Sequence, residues 1–159
     1  MTAGVVDRVI NAPDSIRINQ SRCSRMRLNR NSCSDCIGAC PEGAIELNRG
    51  VKILEERCSG CMQCVAACRN GCFEIDMDGF YSVIAKSKEI RSPVLGCNKR
   101  DDVRAHAKTP CLGFLSEEHL IALSVFMKEP LQINLAGCSD CNNGFIVNDN
   151  KRSGIQFVP

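Results

Sequence analysis

Cys58, Cys61, Cys64 and Cys68 stand in the spacing C-x2-C-x2-C-x3-C. Thiolates are soft ligands, suited to iron–sulfur centres and zinc rather than to hard cations. At this spacing three thiolates lie on one tight loop while the fourth points away from it, so a single site rarely uses all four. The run therefore predicts a second copy of itself elsewhere in the chain.

That copy precedes it by 28 residues and is imperfect. Cys33, Cys36 and Cys40 match Cys61, Cys64 and Cys68, and CPEGAIEL at 40–47 lies over CRNGCFEI at 68–75. Arg30 occupies the place of Cys58, and the nearest thiol is Cys23, seven residues earlier. Cys23 reads as the displaced first ligand, carried on a longer loop that holds Arg25, Arg27 and Arg30; loop-closure cost rises only slowly with length. Cys72 aligns with Ala44, which belongs to no ligand set, so it reads as a small buried residue.

The two runs, with Pro41 after Cys40, resemble the bacterial dicluster ferredoxins over about residues 20–85. That resemblance implies two [4Fe–4S] clusters with crossed ligation. One takes Cys23, Cys33, Cys36 and Cys68; the other takes Cys58, Cys61, Cys64 and Cys40. Because of the departure at Arg30, a missing first cluster, a three-iron form, or Cys72 in place of Cys23 stay open as alternatives.

The surrounding composition suits this chemistry. Thirteen cysteines cannot all pair, and their close spacings fit metal better than disulfides. Aromatic content is 4%, with no Trp, so an aromatic core is small and the cysteines must help hold the fold. The N-terminus does not read as a signal peptide, and Leu120–Met127, the longest apolar run, is too short to cross a bilayer. These features place the chain in a reducing, cytoplasmic compartment. A net charge of +2 gives no reason to propose nucleic acid. The arginines around Cys23 read either as a solvated basic loop offsetting cluster charge or as a docking surface for an acidic redox partner.

The elements that must position these residues form an α+β chain: a pseudo-symmetric dicluster ferredoxin domain followed by a small α/β cysteine-bearing domain. The expected divisions are an N-terminal segment 1–22, the ferredoxin domain 23–85, a linker 86–93 and the α/β domain 94–159. Ile16 and Ile18 suggest a strand leading into Cys23. Small hairpins are expected at Ile45–Ile53 and again at Phe73–Val83, each around a glycine turn.

Beyond Pro93 the pattern becomes an alternation of strand and helix. Val94-Leu95 and Leu131–Leu135 read as strands. Ser116 reads as the N-cap of a helix with Glu117 and Glu118 in its first turn, Leu115 and Leu120 as its hydrophobic staple, and Pro130 as its stop. Phe145–Val147 and Ile155–Val158 suggest a closing hairpin. Cys97, Cys111, Cys138 and Cys141 each follow an apolar segment or open a helix. If the strands are parallel and adjacent, these thiols meet at one sheet edge, where α/β folds place their sites. Their placement resembles that in the delta subunit of methyl-viologen-reducing hydrogenases, which implies a third Fe–S cluster; structural zinc, or no metal at all with Cys138 and Cys141 as a redox-active or buried pair, are the alternatives.

His106, between Cys97 and Cys111, is a lesser ligand candidate, and His119 reads as a surface residue. No Ser/His/Asp set, HExxH, P-loop or dinucleotide fingerprint is present, and no acid or base stands out for substrate chemistry. The expected function is an electron-transfer protein, or the electron-transfer subunit of an oxidoreductase complex, serving a redox partner protein. The contrasting expectation is a redox-sensing or partner-binding module with structural clusters and a C-terminal zinc site.

Overall fold

The structure is a computed structural model that describes residues 16–100, 104–144 and the backbone of 157–158. These residues divide between Asp76 and Met77 into two compact units.

In the unit that ends at Asp76, short strands frame the cysteine loops. Strand β1 (Arg17–Ile18) is the one expected before Cys23 and is followed by the one-turn helix α1 (Ser24–Arg27). A second one-turn helix, α2 (Asp35–Gly38), leads to the antiparallel hairpin of β2 (Ile45–Leu47) and β3 (Val51–Ile53). Ile45, Leu47 and Val51 are buried while Glu46 and Lys52 face water, the period-two alternation of a half-buried hairpin. The side-chain amide of Gln20 acts as a further strand partner: it donates to the Val51 carbonyl at 2.7 Å and accepts from the Val51 N–H at 2.8 Å.

Helix α3 (Gln63–Ala67) packs on α2, and β4 (Phe73–Glu74) returns antiparallel to β1, with Ile18 opposite Phe73. The core gathers Cys36, Ile45, Leu47, Val51, Cys64, Cys72 and Phe73, with Cys23, Cys40 and Cys68 packed against it. A core this small and this rich in thiols needs a staple beyond burial.

The second expected hairpin does not form. Phe73-Glu74 pairs with β1 instead, and Asp78–Ser87 is a helix, α4. The reason is the period: Phe80, Ile84 and Ser87 are the buried positions and lie three and four residues apart, while Tyr81 between them is 57% exposed. Residues 86–93, expected as a linker, contain the end of α4 and a turn that closes on buried Pro93.

The other unit is built on a four-stranded sheet in the order β6-β5-β7-β8, where β5 is Val94–Cys97, β6 Ala107–Thr109, β7 Gln132–Asn134 and β8 Phe157–Val158. Every pairing is parallel. Leu95, Ala107, Thr109 and Ile133 are buried in it, as central parallel strands require. Helix α4 packs on β6. Because β8 lies parallel to β7, Phe157-Val158 joins the sheet; the other arm of the expected closing hairpin, 145–147, lies outside the described residues.

The connection from β6 to β7 runs through a 3-10 turn, Leu112–Phe114, and helix α5 (Glu117–Phe126). Ser116 caps α5 as expected, and Leu115 and Leu120 are both buried. His119 is half-buried rather than simply a surface residue. It stands at the third helical position, where its Nδ1 accepts from the Ser116 N–H at 3.3 Å while Ser116 Oγ accepts from the His119 N–H. This is a capping box in which imidazole takes the place usually held by Glu or Gln. The ring lies 5.2 Å from that of Phe114, and burial holds its pKa below the usual histidine value, keeping Nδ1 free to accept.

Candidate metal centres

In the first unit the local turns aim backbone donors at sulfur. Cys40-Pro41-Glu42-Gly43-Ala44 and Cys68-Arg69-Asn70-Gly71-Cys72 take the same conformation. Gly43 and Gly71 lie in the left-handed region, at φ 57° and 63°, where a side chain is strained. Each glycine N–H closes a turn on the cysteine carbonyl, and the next N–H then points at the cysteine sulfur: Ala44 N to Cys40 Sγ at 3.2 Å, and Cys72 N to Cys68 Sγ at 3.3 Å. Gly60 and Met62, also in the left-handed region, wrap the loop from Cys58 to Cys64.

Two thiol-lined cavities result. Cys23, Cys33, Cys36, Cys68 and Cys72 line one, with Leu47, Val51 and Phe73 as its apolar wall. Cys40, Cys58, Cys61 and Cys64 line the other, with Ile16, Ile45, Ile53 and Met62. Each cavity therefore draws thiols from both copies of the repeat. Cys23 caps the start of α1, and Cys33 is set by its N–H bond to Asn31 Oδ1 at 2.8 Å. Cys72 is 1% exposed, as expected of a buried small residue, yet it faces the first cavity and is hydrogen-bonded to Cys23.

Crowding of thiols away from water shows in their acidity. Burial, then the neighbouring Cys61, Cys58 and Cys40, pushes the Cys64 thiol up to about 12. Burial and then Cys68 raises Cys36 to about 11, and burial followed by Cys23, Cys68 and Cys36 raises Cys72 to about 11. Without a cation these sulfurs keep their protons. A bound iron centre inverts the balance, so loading releases protons. Thiols lining a shared cavity, N–H donors to sulfur and apolar walls all fit an iron–sulfur cluster.

The second unit brings its four cysteines to one side of the sheet. Cys97 ends β5, Cys111 lies two residues beyond β6, and Cys138 and Cys141 follow β7. Since these strands are adjacent and parallel, the thiols sit at their shared carboxyl edge. Cys97 Sγ accepts from the N–H of Lys99 at 3.3 Å and from that of Leu112, and the thiol of Cys141 stands near enough to act on it electrostatically. Burial nevertheless raises the Cys97 pKa.

Asn143, which nothing in the spacing pattern marked, donates from Nδ2 to Cys111 Sγ at 3.7 Å. Buried oxygens without a hydrogen-bond partner cluster here as well: Asn98 Oδ1 beside Cys97, Thr109 Oγ1 on the strand position opposite Cys97, and Asn143 Oδ1. His106 is exposed at the amino end of the sheet, where its Nδ1 accepts from the Val94 N–H at 3.0 Å, away from the thiol edge. Among the described residues no three Cys, His, Asp or Glu side chains converge on a single-ion position. A tetrahedral zinc would require sulfurs about 3.8 Å apart, set by Zn–S bonds of about 2.3 Å.

Among the described residues no helix is long and apolar enough to cross a membrane. No curated protein and no solved structure matches the chain. Residues 51–110 match a family described as a 4Fe-4S single cluster domain, a stretch that holds Cys58, Cys61, Cys64, Cys68, Cys72 and Cys97 and supports an iron–sulfur domain in this chain.

Proposed function

We propose that the protein carries electrons through two [4Fe–4S] clusters in the unit that ends at Asp76, as a free carrier or as the electron-transfer subunit of an oxidoreductase. Cys23, Cys33, Cys36 and Cys68 hold the first cluster; Cys40, Cys58, Cys61 and Cys64 hold the second. The observation that carries this reading is the presence of two separate thiol-lined cavities, each furnished by both copies of the repeat. When bound, such clusters supply one-electron chemistry. The chain's own residues ligate, exclude water with Leu47, Val51 and Phe73 on one side and Ile45, Ile53 and Met62 on the other, and direct the N–H groups of Cys72 and Ala44 at ligand sulfurs. Hydrogen bonds to sulfur and solvent exclusion are what set a cluster's potential.

The carboxyl edge of the parallel sheet, with Cys97, Cys111, Cys138 and Cys141, is a third centre in this reading. An Fe–S cluster is the occupant proposed, with zinc as the alternative, and the buried oxygens of Asn98, Thr109 and Asn143 that lack a hydrogen-bond partner are consistent with a group at that edge. The partner is a redox protein, met in a reducing, cytoplasmic compartment.

Anaerobic purification followed by iron, sulfide and zinc analysis and redox-titrated EPR tests the proposal. Two loaded cavities give about eight irons that cycle reversibly, and more iron without zinc marks the third centre as Fe–S. Iron that cannot be reduced without loss of the fold would defeat the carrier reading and leave clusters with a structural role.

A further inference from the structure

The segment from Gln20 to Gly38, which ends with α2, carries Arg22, Arg25, Arg27 and Arg30 against a single carboxylate, the exposed Asp35. The chain as a whole has a net charge of +2, so with four arginines and one aspartate giving +3 in this segment the remainder carries −1. The positive charge is thus concentrated on the insertion that displaces Cys23. Its placement is specific: Cys23 and Ser24, at the start of α1, line the first cavity, and exposed Arg69 lines it as well. Arg22 pairs with Glu74 at 3.2 Å and Arg25 donates to the Cys33 carbonyl at 3.5 Å, while Arg27 and Arg30 are exposed.

A loop that only offset cluster charge would have no need of exposed apolar side chains. Here Leu28, directly after α1, is 56% exposed, and Ile37 on α2, next to ligand candidate Cys36, is 40% exposed. Large apolar side chains among cations make the composition of a protein interface, with an apolar centre and a charged rim that steers encounter. Residues 20–37 hold no aromatic side chain on which a base could stack, which weighs against a nucleic acid.

Building on the electron-transfer reading, we infer that α1, the loop after it and α2 form the docking face of the first cluster, and that its partner is an acidic electron-transfer protein. Arg27 and Arg30 attract and orient that partner; Leu28 and Ile37 make the close contact through which the electron passes.

The test uses the full, iron-loaded chain, reduced and mixed by stopped flow with one of two acceptors. Trianionic tris(oxalato)cobaltate(III) and tricationic hexaamminecobalt(III) each take one electron, the cluster being oxidised and Co(III) reduced to Co(II). At low salt the double variant Arg27→Glu/Arg30→Glu is expected to slow oxidation by the anionic complex tenfold or more, to leave or raise the rate with the cationic one, and to lose the difference at high salt. An acidic flavodoxin stripped of its flavin, so that it neither takes nor gives an electron, should protect the wild type, but not the variant, from the cobaltate. Iron content and cluster potentials are measured for both proteins, and the rates are compared at equal driving force.

Rates that ignore charge, or that fall equally with both acceptors, overturn the inference while normal iron leaves the electron-transfer reading standing. Protection by a short DNA duplex or by phosphatidylserine vesicles in place of flavodoxin overturns it too, by assigning the face to another class of partner. A wild-type protein without reducible iron defeats the electron-transfer reading and the inference together.

Discussion

Cys68→Ala is the perturbation that separates crossed from uncrossed ligation. Cys68 belongs by sequence to the run of Cys58, Cys61 and Cys64, but it lines the cavity of Cys23, Cys33 and Cys36, and Cys40 lines that of Cys58, Cys61 and Cys64. Each cavity loses one of four ligands when its exchanged cysteine is removed, so Cys68→Ala and Cys40→Ala should each lower the iron content by about four per chain. Because Cys72 stands in the first cavity as a fifth thiol, the series is made in a Cys72→Ala background.

Double variants then identify which four irons are lost, since effects within one site do not add and effects in independent sites do. Cys68→Ala with Cys33→Ala should lose no more than about four irons, because both changes disable one cavity. Cys68→Ala with Cys58→Ala should empty both cavities and lose about eight. Iron and sulfide analysis gives the counts, and EPR of the reduced single-cluster protein should show a simple signal free of coupling to a second centre. The reverse pattern, with iron lost in the Cys33 pair and kept in the Cys58 pair, would refute crossed ligation.

Cys23→Ser should remove iron from the first cavity only, whereas Cys72→Ser should leave both clusters in place; loss of a cluster in the second variant with none in the first would show that the displaced ligand is Cys72. Gly71→Ala places a side chain at φ 63° where its nearest neighbour is the flexible end of Arg22 at 3.5 Å, so the cost is backbone strain of about 1–2 kcal/mol, with a lowered potential for one centre as the Cys72 N–H turns from Cys68 Sγ. Denaturation midpoints and a redox titration read the two effects. Ser116→Ala should cost the C-terminal unit about 1 kcal/mol in denaturant titrations. His119, whose pKa is lowered by burial, is neutral in the folded state, so the stability it contributes is complete above the unfolded value near 6.5 and is lost as pH falls below it. His119→Gln should remove that pH dependence, and a pH-independent wild type would count against the capping role.

The legible parts of this chain are those where a few neighbouring residues decide the structure. The C-x2-C-x2-C-x3-C spacing makes a loop whatever surrounds it. Gly43 and Gly71 fall at equivalent places in the repeat because each must turn the chain back toward a cysteine two to four residues away. Ser116 caps its helix, and the cysteines that follow the β5–β7 strands were expected at one edge because parallel neighbours share a direction. Phe80, Tyr81 and Val83 misled because so short an apolar pattern fits both periods; the packing of α4 on β6 chose the helical one. His119 was misjudged because its role depends on a ring hydrogen bond and on Phe114.

Sequence by itself therefore determined that this is a cysteine-ligating chain with a duplicated loop, since ligand spacing and turn chemistry act over a few residues. Tertiary structure decided which thiols share a cavity. It placed Cys72 among the first set, Asn143 on Cys111, and β4 against β1 in place of a local hairpin. Those outcomes rest on contacts between residues 32 to 57 apart, whose closure depends on what the intervening chain packs against rather than on the residues themselves.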